Sequence, residues 1–309
     1  MSVQGFTSVD ATGESYDYIS VNGVFGGETV GNYGDSVTDI FHGFIDIGGA
    51  ASTSDPPGSS NTSIVGVTPS GEIFGDYTDY ANRQHGFVDN DGVVAPVDVF
   101  LAQATTLSGV NAEGLIYGSY VNYAGQVRGF TDNDGTFKTI NDRGAASTSV
   151  SGVNAAGEIV GEITDKAGDV EGFTDIGGVF AAIEAPGSIF TSPVGVSASG
   201  KVAGTYEDAD GNNQAFVDVN GVFRPISIPG ASSAMVTDIN GAGEVVGTFV
   251  NQAGDIRSFI YDHSAVDRVN FPGAIDTDIV GVSATGRIFG FHENAAGVEH
   301  GFTTHAHFV

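Results

Sequence analysis

A chain of 309 residues with 38 acidic and 10 basic side chains carries a formal charge of −28, so it lacks the lysine and arginine that displace counterions from nucleic acid or hold an anionic membrane surface. Zero cysteines exclude disulfides, thiol catalysis and cysteine-held zinc. A hydrophobic fraction of 40% with 47 glycines suits turn-rich β structure, and without a long apolar run no membrane insertion is expected.

A fixed period decides the architecture. Gly31, Gly75, Gly118, Gly161, Gly204, Gly247 and Gly290 follow one another at one step of 44 and then steps of 43 residues. Phe44, Phe87, Phe130, Phe173, Phe216, Phe259 and Phe302 keep steps of 43 throughout. Within each unit, runs rich in Val, Ile, Phe and Thr alternate with Gly, Asn and Asp clusters, which is the pattern of short strands and hairpin turns. The stretch 148–187 predicts four strands: A over 148–154, B over 158–164, C over 171–176 and D over 178–184. A glycine in mid-strand B implies close approach by another backbone or an aromatic, and the periodic phenylalanine is the expected neighbour. One such unit cannot bury both faces. Seven copies arranged radially can, so the expected fold is all-β: a seven-bladed β-propeller of about 43 residues and four antiparallel strands per blade, as a single domain over 1–309.

In chain order, GFTSV at 5–9 reads as a D strand. The last copy supplies only A (277–283), B (287–292) and C (299–304), so the N-terminal strand should complete the C-terminal blade and leave no free edge. The opening MSVQGF lacks the basic and apolar regions of a secretion signal, which leaves such a signal removed, absent or part of a longer chain. Copy 1 (16–51) has a long B-to-C link, NYGDSVTDIF, holding Asp35 and Asp39. The connector STSDPPGSSNTS (52–63) leads to copy 2, copies 3 to 6 are regular, and copy 7 carries VSATGRIFGFHENAAGVEHGF (282–302).

The recurring G-[IV]-N-x-x-G-x-[IV]-x-G-x-Y segment, followed by His-Gly-Phe at 42–44, 85–87 and 300–302, resembles the HAF repeat. IPGASS (228–233) and FPGAID (271–276) fit the same pattern. The resemblance covers essentially the whole chain and implies a bacterial extracellular or cell-surface propeller. It carries over no catalytic residue, because the family is defined by its repeat. Arg128, Glu171, Gln214 and Arg257 replace the histidine in copies 3 to 6, so the blade folds without it. C strands about 16 Å from the axis would set neighbouring histidines roughly 14 Å apart, too far for a shared metal; a hydrogen bond to a turn or neighbouring blade is the expected role.

Residues that break the repeat are candidates for function. Aligning the A strands on Val21, Val67, Val110, Val153, Val196, Ile239 and Val282 puts Asp17 and Asp278 where other copies have Ser63, Thr106, Ser149, Ser192 or Met235. On adjacent blades 7 and 1 their Cα atoms are expected about 6 to 8 Å apart, within range of a shared cation or an acid/base pair. Asp276, Tyr16, Tyr18, His292 in place of Tyr or Phe, and Glu293 surround that seam. Divergence at the seam or the general acidity of the chain would explain the same residues structurally. EDADGNN (207–213) resembles the start of a calcium loop but lacks the later Glu, so an Asp-Gly hairpin fits better.

Two function classes fit. One is an extracellular or cell-surface binding module for a glycan or protein partner, with or without calcium at Asp17, Asp276 and Asp278, and with Tyr16, Tyr18 and Tyr33 as stacking surfaces beside His292 and Glu293. The other is a polysaccharide-active hydrolase or lyase using Asp17, Asp278 and His292. A spacer within a larger surface protein is a third role. No other cofactor is expected, and the protein should be a monomer.

Overall fold

The computed structural model describes residues 3–11, 16–35, 38, 40–142, 144–262 and 264–306. Its strands form seven four-stranded antiparallel sheets, six of them in simple sequence order. In the fourth blade the strands are Ser147–Val153, Glu158–Thr164, Val170–Ile176 and Val179–Ile183, each within a residue of expectation. The seventh sheet is the exception: Val3–Val9 pairs antiparallel with Glu299–Ala306, Ser8 opposite Phe302 and Val9 opposite Gly301. The N-terminal strand therefore completes the C-terminal blade, and the protein is a closed seven-bladed propeller.

The two periodic residues face each other. Gly161 lies directly opposite Phe173, and the same cross-strand pair recurs from Gly31 with Phe44 to Gly290 with Phe302. A bulge in each inner strand, between Val150 and Gly152 in blade 4, turns a carbonyl toward this glycine. A Cβ on Gly161 would collide with the Ser149 carbonyl oxygen and come within 3.0 Å of Phe173. The phenylalanine takes the space that glycine leaves, and all seven of these rings are 2% exposed or less.

The glycine of His-Gly-Phe serves the next blade. A Cβ at Gly43, Gly129 or Gly172 would lie 2.7 Å or less from an atom of Ile64, Val150 or Pro193 or a nearby backbone oxygen. The side chain at the centre of each inner strand thus rests on the preceding C strand, building the core between blades. Polar staples add register. Asn32 exchanges two hydrogen bonds with Ile64, accepting its N–H at 2.6 Å and donating to its carbonyl at 2.9 Å. At the equivalent place Asp76 accepts the Leu107 N–H at 2.8 Å and Thr205 accepts that of Val236 at 3.1 Å. Blade 6 puts Ser258 where most copies have the C-strand glycine, and its hydroxyl bridges Thr277 O and Ile279 N.

Candidate functional site

The first copy departs from its expected alignment. Its A strand runs Tyr16–Phe25 and turns through Gly26 and Gly27, both at positive φ, with Phe25 opposite Glu28. Other copies turn through a longer loop, as where Val153 faces Ile159. Val21 consequently faces Gly31 as Ile279 faces Gly290, and the residue equivalent to Asp278 is Ser20. Asp17 stands three residues earlier, about 10 Å further along the strand. The expected level pairing of Asp17 with Asp278 is thus corrected: the shortened hairpin shifts the whole strand. The side chains of Tyr16 and Asp17 lie outside the described residues, as does Asp39.

The blade 7 carboxylates form a row across three strands, Asp276 opposite Glu293 and Glu293 opposite Glu299. Asp276 is already engaged, accepting Arg257 Nη1 and Ile256 N at 3.2 Å each. Asp278 is half-buried and is pushed up to about 6 by desolvation, with the charges of Asp276 and Glu299 adding to it. Glu299, which sequence reading passed over, is raised by burial and by Glu293, while an N–H from Ile19 of blade 1 holds it down. Among the described residues no three His, Asp or Glu groups converge to hold a metal ion. Asp208 of EDADGNN folds its own turn, accepting Asp210 N and Asn212 N at 3.0 Å each; Asn122, Asp165 and Asn251 do the same in other blades.

The three histidines are hydrogen-bonded as expected, each by Nδ1 to an aspartate that follows a D strand: His42 to Asp55 at 2.6 Å, His85 to Asp98 at 2.8 Å and His300 to Asp10 at 2.7 Å. Asp10 follows the N-terminal strand, so this pair also fastens the ring closure. The sequence held the signal, unread: aspartate stands 13 residues after His42 and His85, whereas Asn141, Glu184, Ser227 and Asn270 occupy that offset where the histidine is replaced. Each histidine stacks on a B-strand ring, Tyr33, Tyr77 or His292, with centroids 5.0–5.5 Å apart.

That stacking corrects Tyr33 as a sugar platform. It is 4% exposed, its face is covered by His42, and its hydroxyl pairs with Thr53 Oγ1 at 2.8 Å. Strand alternation turns it under the histidine rather than into solvent. Tyr18 is half-buried between blades, its ring against Phe41 at 5.9 Å and Phe291 at 6.3 Å.

His292 has the most unusual setting. Its ring lies between Phe271, with centroids 3.6 Å apart, and His300. It is 6% exposed, and neither ring nitrogen has a hydrogen-bond partner among the described residues. Desolvation, with the neighbouring His300, holds its pKa below the ordinary imidazole value and Asp10 only partly offsets this, so the ring is neutral near pH 7. It lines a cavity of about 340 Å³ together with Ser8, Asp10, Phe271, Asn294 and His300. The connector and turn residues place this cavity on the face made by D-to-A connectors and B-to-C turns. Phe249 occupies the same strand position in blade 6, so an apolar ring fits there.

No protein-family model matches the chain, and comparison with curated proteins gives no match. Among solved structures, the β-propeller domain of the Trilobed protease from Pyrococcus furiosus aligns with a TM-score of 0.65 at 11% identity, over 94% of this chain and 95% of that one. That domain has an open velcro topology, in contrast to the paired terminal strand here. The Pyrococcus horikoshii acylaminoacyl peptidase also reaches 0.65, at 10% identity, over 93% of this chain and 51% of its own. YCF48 from Cyanidioschyzon merolae reaches 0.59 at 10% identity, over 98% and 99%. At these identities the likeness is one of fold, and it is that of a β-propeller.

Proposed function

We propose that this chain is an extracellular or cell-surface binding module of the HAF-repeat kind, which holds a neutral glycan or a protein partner on its connector face. The observation that carries the reading is His292. A buried polar group without a partner costs about 1–3 kcal/mol, and a phenylalanine at the same strand position of blade 6 avoids that cost. An imidazole beside a cavity, able to donate from one nitrogen and accept at the other, suits a ligand hydroxyl or amide. The acidic surface, with its formal charge of −28, disfavours anionic ligands.

Glycan-array binding and calorimetry, run with and without calcium on the wild type and His292→Phe, test this. The expected result is a bound ligand whose affinity falls at least tenfold in the variant. Equal binding by both proteins removes the cavity from the site. If no glycan binds in either buffer, the protein-partner form is left, to be tested by cross-linking on the same face.

A further inference from the structure

A second cleft opens on the same face between blades 1 and 2. Its volume is about 320 Å³, at the lower end of the about 300–1,000 Å³ range of small-molecule sites. Phe41 of blade 1 lines it together with Asn61 and Ser63 of the blade 2 inner strand and with Asp76, Thr78 and Gln84, among other residues of blade 2. None of these residues is a candidate for function from the sequence alone, where Ser63 enters only as the ordinary residue of its repeat position.

The walls depart from the repeat in a concerted way. Phe41 begins its C strand where the other copies have Gln84, Val127, Val170, Asn213, Ile256 and Glu299, so the aromatic is peculiar to blade 1. Its ring is 47% exposed, yet its position is fixed. Asn61 Oδ1 of blade 2 accepts the Phe41 N–H at 2.9 Å, and the ring sits edge-on to Tyr18 and packs 3.4 Å from where a Cβ on Gly34 would lie. Asn61 itself replaces Tyr18, Ala104, Ser147, Phe190, Ser233 and Asp276 of the other inner strands. Its carbonyl oxygen is used to hold Phe41, which leaves its NH₂ for the cleft.

Polar groups share the lining with the aromatic. Asp76 is 6% exposed, and Oδ1 is committed to Leu107 N. Among the described residues the side-chain amide of Gln84 and the hydroxyl of Ser63, both lining the cleft, take no hydrogen bond. A rigid aromatic beside one carboxyl, two amides and hydroxyls matches a pyranose ring: its C–H face packs on the aromatic while adjacent hydroxyls bridge carboxyl and amide groups. A single carboxyl among neutral groups is too little for a divalent cation, which takes several oxygen ligands. The chain's negative charge disfavours uronates and sulfated sugars.

We propose that the cleft between blades 1 and 2 is a saccharide subsite, in which one neutral pyranose stacks on Phe41 and is hydrogen-bonded by Asp76, Asn61 and Gln84. This rests on the binding-module reading only in taking the connector face as the working face, and it does not involve His292.

Saturation-transfer NMR tests it, with the methyl glycosides of glucose, galactose, mannose and N-acetylglucosamine and their β-linked tetrasaccharides as probes. The wild type should transfer saturation to the protons of one sugar face. Phe41→Ala and Gln84→Ala should each weaken binding at least tenfold, while Phe41→Tyr retains it; an unchanged melting temperature confirms that the alanine variants are folded. A wild type that binds none of these sugars overturns the subsite. So does a sugar that binds wild type and both alanine variants equally, and in that case the binding-module reading stands while the cleft is ruled out. Loss in His292→Phe with no loss in Phe41→Ala assigns the sugar to the other cavity and has the same meaning for this one.

Discussion

Replacing Asp76 by Asn should make the protein more stable at pH 8 and leave it almost unchanged at pH 4. Burial pushes this carboxyl from 3.8 up to about 7, against the Leu107 N–H that favours its charged form. Below about 3.8 both the folded and the unfolded chain hold the proton. Between there and about 7 only the folded chain does, so stability falls as pH rises through that window and is level above it. A displacement of about 3 pK units at about 1.4 kcal/mol each gives roughly 4 kcal/mol as an upper figure for one side chain. Asparagine has no proton to lose. Asn32 shows how it would fit, bonding both the N–H and the carbonyl of Ile64 at the equivalent seam. Urea unfolding of wild type and variant at pH 4, 6 and 8 measures the effect, and the gap between them should open steadily with pH. Asp238 and Asp278, each raised to about 6, leave a smaller slope of the same sign in both proteins. A variant less stable than wild type at pH 8, or a gap that does not change with pH, would refute the reasoning.

His292→Phe should raise stability by about 1–3 kcal/mol in calorimetric melting, because it removes two buried nitrogens that lack partners; a destabilised variant would mean that the imidazole is satisfied. Gly161→Ala should lose about 3 kcal/mol or more by the same measurement, since the new methyl meets the Ser149 carbonyl, whereas Gly168→Ala, at an exposed turn with nothing within 4 Å, should lose only about 1 kcal/mol, for its positive φ. Deleting residues 1–11 should expose the edge of Glu299–Ala306 and produce self-association in size-exclusion chromatography; a monomer with unchanged melting would show the terminal strand to be dispensable.

The fold was legible because its two strictest positions are coupled by sterics. A mid-strand glycine faces its phenylalanine in every blade, so both keep the 43-residue beat except for the one 44-residue glycine step after Gly31, where the B-to-C link of blade 1 is one residue longer. The candidate site was less so. Blade 1 shortens its first hairpin at Gly26 and Gly27, where insertions and deletions are tolerated, and an alignment anchored on Val21 rather than Gly31 misplaced Asp17. Tyr33 was misjudged because the repeat shows that a ring recurs there but not that a histidine on the next strand covers it. The pairing of histidine with the aspartate 13 residues on was open to reading. In blade 7 it was hidden, because Asp10 and His300 lie at opposite ends of the chain. Glu299 and Asp76 carry no local motif; only burial distinguishes them.

Within the propeller, the strand made before all the others is the one whose partner is made after them. Val3–Val9 must wait for Glu299–Ala306, so the nascent chain carries a ready β-edge through the synthesis of nearly every other blade. Until the final copy arrives, that segment is a vacancy-seeking latch, able to dock on another molecule's unfinished blade. Crowded expression should therefore yield strand-exchanged chains, and slower synthesis or dilution during refolding should favour the self-sealed form.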